Sequence, residues 1–158
     1  MYKIKDILRG KVLMLCVGNR DMGDDGAGPY LADLIKGKVS YEVIDAGVTP
    51  ENYTGFITRF NPDTLIIVDT VQFEGRPGEV RVFLVDEVRS GKISTHDVSL
   101  RLLIDYLRPF ITASIYIVGI KPASDKFGEP LSAEVDLSIK NLADLLVENT
   151  FIEEVDKL

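Results

Sequence analysis

Cysteine and histidine occur once each in this 158-residue chain. A lone Cys16 forms no internal disulfide, and a chain with one cysteine and one histidine has no Cys-rich or three-histidine zinc cluster. The same scarcity leaves no Ser-His-Asp or Cys-His arrangement visible for nucleophilic catalysis. Positive charge is also short: 18 Lys and Arg stand against 25 Asp and Glu, a net charge of −7. That balance argues against nonspecific binding to nucleic acid or anionic membranes, both of which need a basic face. There is no apolar run of about 18 residues and no charged-then-apolar leader, so neither a membrane-spanning helix nor a signal segment is read, and a cytoplasmic location is expected. Repeats, low-complexity stretches and linkers are missing as well, and a single domain over residues 1–158 is expected.

What remains is an ordinary globular composition, 46% hydrophobic and 27% charged, in alternating segments. Short apolar or β-branched runs at 11–18, 41–47, 64–70, 79–88 and 114–120 predict five strands. Helical spacing is read at about 28–36, 51–60, 97–108 and 132–148, the last with Val135, Leu137, Ile139, Leu142, Leu145 and Leu146 as its apolar positions. Pro77 and Gly78 suit a tight turn, so the third and fourth strands are expected to form an antiparallel hairpin. The continuous apolar runs at 12–17 and 64–68 call for cover on both faces. The fold predicted is therefore α/β: a three-layer α/β/α sandwich around a mostly parallel, mixed five-stranded sheet.

The stretch CVGNRDMGDDGAGPY (16–30) carries the chemistry. It has the glycines of a phosphate loop, yet it lacks the Lys-Ser/Thr pair of a Walker motif and the glycine spacing of a dinucleotide site, and its Asp24 and Asp25 would repel a pyrophosphate. Open α/β sheets bind ligands beyond the carboxyl ends of their strands. Asp24 and Asp25 follow the first strand there, Asp45 ends the second and Asp69 ends the third. His96 falls in STHDVSLRLLIDYL, where Ser94 and Asp97 have capping-box spacing, and the positive end of that helix favours a neutral imidazole. Carboxylates beside a neutral imidazole suit a divalent cation. Asp45 is read as mainly structural, a stabiliser of the turn at Gly47 and Thr49-Pro50. Cys16, inside an apolar strand, is read as a core residue and not a nucleophile.

The segments VGNRDMGDDGAGP, VIDAGVTPENY, LIIVDT and STHDVSLRLLIDYL resemble, in this order and at similar spacing, the hydrogenase maturation endopeptidases, with the greatest likeness to the subgroup acting on the hydrogenase-3 type. GIKP (119–122) and GEPLS (128–132) also look like later segments of that family. The resemblance implies a peptidase that removes a short C-terminal extension from the precursor of a [NiFe]-hydrogenase large subunit once nickel is in place. It implies that Asp25, Asp69 and His96 contact a nickel ion supplied by the substrate, with no tightly bound cofactor. A monomer whose partner is that precursor is expected.

Two carboxylates and one imidazole make a modest metal site with open positions for another molecule's ligands, so it is expected to be empty until the precursor docks. Water is the expected nucleophile, activated by the metal or by Asp25 or Asp69 as general base. Two other readings stay open at this point: a self-contained metallohydrolase holding its own zinc, and a nonenzymatic nucleotide or small-anion binding module.

Overall fold

The structure, a computed structural model, describes residues 3–89 and 98–156. Its five strands are β1 (Val12–Val17), β2 (Glu42–Gly47), β3 (Thr64–Thr70), β4 (Val80–Leu84) and β5 (Ser114–Ile120). They form one sheet in the order β2-β1-β3-β5-β4. The pairs β1–β2, β1–β3 and β3–β5 are parallel, and only β4 runs antiparallel, along β5. The helices are α1 (Ile4–Ile7), α2 (Ala27–Ile35), α3 (Thr54–Phe60), α4 (Val85–Arg89), α5 (Val98–Leu107) and α6 (Ala133–Asp156).

β1 and β3 lie inside the sheet and every residue of both is buried, which is why they read as unbroken apolar runs. Alternate residues feed two cores. Leu13, Leu15, Leu65, Ile67 and Ile117 face Ile57 of α3, Val88 of α4 and Leu100, Ile104 and Leu107 of α5. Val12, Met14, Cys16, Ile66 and Val118 face Leu31 and Ile35 of α2, Ile139 and Leu146 of α6, and Ile4 and Ile7 of α1. The three-layer sandwich and its mixed, mostly parallel sheet are as the sequence predicts.

The antiparallel partner of β4 is different from the one predicted. No β3–β4 hairpin forms; β5 lies between the two strands. The Pro77–Gly78 segment does turn, but residues 71–79 are long enough to pass over a strand only about 5 Å wide. Gly78 N–H then donates to Lys121 O (2.7 Å) and Lys121 N–H to Glu79 O (2.9 Å), which seats β4 against the far side of β5. The predicted strand 79–88 also ends early, at Leu84, where α4 begins. The Glu87 carboxylate reaches back to the Leu84 N–H (2.8 Å), the reciprocal half of a capping box. In α6, Val135, Ile139, Leu142 and Leu146 are buried, while Leu137 and Leu145 face solvent.

Candidate active site

Strand order reverses between β1 and β3: the chain leaves β1 for its neighbour β2, then returns to the opposite side of β1 to form β3. Loops diverge at such a switch point and open a crevice at the carboxyl ends of the strands. Asp25 stands in the loop after β1, within a single 3₁₀ turn (Gly23–Gly26) that runs into α2. Asp69 stands at the end of β3. Gly28 lets α2 lie against β1, since a Cβ there would strike the Val17 carbonyl oxygen, and this contact brings the turn over the sheet end.

Thr70 joins the two acids. Its hydroxyl donates to Asp25 Oδ1 (2.9 Å), and its backbone N–H donates to Asp69 Oδ1 (2.8 Å). The Asn19 N–H donates to the other Asp25 oxygen (3.0 Å). These neutral donors fix the half-buried Asp25 without cancelling its charge, and each of its oxygens keeps a lone pair for another ligand. Asp69 is 3% exposed, so its carboxylate is oriented by the protein more than by water. Thr70 was not singled out by sequence reasoning; the only signal was its place next to Asp69 at a strand end.

The structure thus brings Asp25 and Asp69 to one place. His96, with Ser94 and Asp97, lies outside the described residues; α5, the helix predicted to follow it, is seen from Val98 onward. Among the described residues no group of three His, Cys, Asp or Glu side chains is arranged to hold a metal ion.

Asp24 departs from its predicted place among the crevice carboxylates. It is fully buried and points away from Asp25. Its Oδ2 accepts from the Ala123 N–H (2.8 Å), the Ser124 N–H (3.0 Å) and the Ser132 hydroxyl (2.9 Å), and its Oδ1 from the Ser132 N–H (2.7 Å). Consecutive residues in a 3₁₀ turn point about 120° apart, so one aspartate of the pair faces the crevice and the other the 121–132 segment. Ser132 Oγ in turn accepts from Val135 N–H (3.3 Å), capping α6.

Asp45 is structural, as read from the sequence. Its Oδ1 accepts from the Gly47 N–H (3.1 Å) and its Oδ2 pairs with Arg20 (2.7 Å). Arg20 also grips both oxygens of Asp33. Its bonds to Asp33 and then Asp45 raise its pKa, and the Arg20 hydrogen bond holds the Asp33 carboxyl below its ordinary value. Cys16 is fully buried; burial first, then the negative charge of Asp45 and Asp33, pushes its thiol far above the ordinary range, so no reactive thiolate is available.

Comparison with known proteins agrees with this architecture. The HycI model, described as hydrogenase maturation protease, matches residues 29–149, a span that includes Asp69 and His96 and starts just after Asp25. The hydrogenase 3 maturation protease of Escherichia coli strain K12 is 36% identical over 133 residues, covering 82% of this chain and 85% of the relative.

The chain belongs to the hydrogenase maturation protease family.

Another relative, a putative hydrogenase maturation protease of Methanocaldococcus jannaschii, is 33% identical over 156 residues, covering 92% of this chain and 90% of its own. The crystal structure of a [NiFe] hydrogenase maturation protease HycI from Thermococcus kodakarensis superposes with a TM-score of 0.82 at 28% identity, covering 93% of this chain and 97% of that one. A crystal structure of the hydrogenase 3 maturation protease gives a TM-score of 0.75 at 34% identity, covering 87% and 89%. The protein is a peptidase of this family. Among the described residues no helix is long and apolar enough to cross a membrane.

Proposed function

We propose that this maturation protease removes the C-terminal extension of a [NiFe]-hydrogenase large-subunit precursor and reads nickel in that precursor as its signal to cut. The observation that carries this reading is the Thr70 bridge, which ties Asp25 of the loop after β1 to the Asp69–Thr70 end of β3 at the switch point. Two carboxylates supply negative charge and hard oxygen donors, and His96 adds an imidazole from the segment before α5. This set fits an intermediate divalent metal and leaves coordination positions for the precursor's own ligands. The nickel belongs to the substrate; the protease holds no metal tightly by itself. It acts as a monomer in the cytoplasm, without nucleic acid or membrane.

Docking onto the metal holds the scissile peptide at a fixed distance from the acids, which converts recognition into positioning. Water attacks the scissile carbonyl carbon, forming a C–O bond as the C–N bond breaks, and its proton passes to the departing amine. Asp25, Asp69 and His96 are the residues we assign to this step. Cys16 takes no part, since its sulfur is enclosed in the core.

Incubating the purified protein with nickel-loaded and nickel-free precursor, and resolving the products by mass, tests the reading. Only the loaded form should be shortened, and Asp69→Asn should slow that cleavage roughly 100-fold or more, as expected for loss of a group acting at the reacting centre. Equal cleavage of both forms would discard nickel reading.

A further inference from the structure

Two turns flank the acidic loop, and each carries a large apolar side chain into solvent. On one side, Ala46–Thr49 closes through Thr49 N–H to Ala46 O (3.2 Å), with Gly47 at φ +55°; Val48 at its tip is 57% exposed. On the other, Lys126–Glu129 closes through Glu129 N–H to Lys126 O (3.3 Å), with Gly128 at φ +81°. A left-handed residue third in a turn defines type II and places the second residue, Phe127, at the apex. Phe127 is 79% exposed.

Both turns are fastened to the loop between them by the glycine next to the exposed residue. Gly18 N–H donates to Gly47 O (2.9 Å), and Gly128 N–H donates to Asp21 O (2.8 Å). The Phe127 turn is held further by the Asp24 clasp on Ala123 and Ser124 and by the Ser124 hydroxyl on Glu129 (2.7 Å). Phe127 is therefore a fixed projection rather than the end of a loose loop. A phenyl ring kept in water by a rigid turn gains nothing for the fold, and rigid aromatic side chains beside a site are the type that anchors a partner. Beside Val48, residues Gly18–Arg20, Pro29 and Asp45–Thr49 line an open hollow of about 340 Å³, room for a side chain of a bound polypeptide.

We propose that Phe127 and Val48 are specificity-determining residues that grip the precursor polypeptide through apolar side chains on either side of the segment presented to Asp25 and Asp69. This rests on the maturation reading above and adds how a protein substrate, rather than a metal complex alone, is selected. The grip acts in binding and leaves the chemistry to the acids between the two turns.

Steady-state cleavage of nickel-loaded precursor by wild type, Phe127→Ala, Phe127→Leu and Val48→Ser is the test, with thermal unfolding of each. Phe127→Ala should raise KM about tenfold, the size of effect an interface anchor has, with kcat within about twofold. Phe127→Leu should recover most of that loss, Val48→Ser should raise KM by about threefold, and all should unfold with wild type. An unchanged KM in the two truncated variants, a fall in kcat at constant KM, or a lowered unfolding temperature for Phe127→Leu would each overturn the grip while leaving the maturation reading in place. If wild type itself leaves the loaded precursor uncut, the maturation reading fails and the grip with it.

Discussion

Thr70 shows how much a single neutral side chain decides. Its hydroxyl and its backbone N–H go to different carboxylates, so two acids from separate segments share one support. Thr70→Val keeps shape and strand preference but removes the hydroxyl donor. The variant should fold, and cleavage should slow by about tenfold through kcat, since Asp25 loses one of its two fixed partners. Wild-type kcat in a folded Thr70→Val protein would show that the bridge does not position Asp25. His96 is tested in the same way. His96→Ala should stay folded, and its preference for nickel-loaded over nickel-free precursor in a binding titration should shrink, because only the loaded form offers a metal to contact. Normal discrimination and cleavage would remove His96 from the trio.

At the scale of elements, one turn of 3₁₀ helix separates the duties of two adjacent aspartates. Asp25 serves the crevice, and Asp24 binds the loop after β1 to the 121–132 segment and to the start of α6. Removing a buried acceptor strands its donors. Asp24→Ala leaves the N–H groups of Ala123, Ser124 and Ser132 without that partner and, at about 1 kcal/mol or more for each stranded donor, should cost about 3–5 kcal/mol. For a domain of this size that corresponds to a drop of roughly 6–20 °C in thermal midpoint. A midpoint within about 2 °C of wild type would show the clasp to be dispensable. The same element explains why sequence reasoning placed both acids in the crevice: composition marks the loop as acidic, but the direction of each side chain depends on the turn that the chain adopts.

For the whole molecule, the central strands and the packed helices create an interior in which charge is costly. Cys16 reports on it. Its folded-state pKa is raised above that of an unfolded thiol, near 8.5, chiefly by burial. The thiol is neutral in both states below about pH 8.5, so its contribution is fully present there. As pH rises further, the unfolded thiol ionises while the folded one does not, and stability falls by up to about 1.4 kcal/mol per pH unit. Thermal unfolding of wild type and Cys16→Ala from pH 7.5 to 10 should show the wild-type advantage narrowing on the alkaline side. A constant gap across that range would mean that the thiol is not sealed from solvent. Cys16→Ala should also cleave precursor normally, as befits a core residue.

Periodicity was enough to place five strands, the longer helices and the layer arrangement, because burial on two faces leaves unbroken apolar runs and burial on one face leaves helical spacing. The acidic loop and Asp69 were legible for the same reason: strand ends can be located from where apolar runs stop, and ligands gather at those ends. Short elements escaped. α1 has four residues and α4 five, too few for a period to emerge. Partnership escaped too, since a turn signal records that the chain reverses but not which strand it will meet, and β5, some thirty residues further on, took the place beside β3 that β4 was expected to fill. Thr70 as a bridge and Asp24 as a clasp belong to the tertiary structure alone. Their bonds join residues 45 and 99 to 108 positions apart, and contacts at that separation exist only after the sheet has brought their strands and loops together.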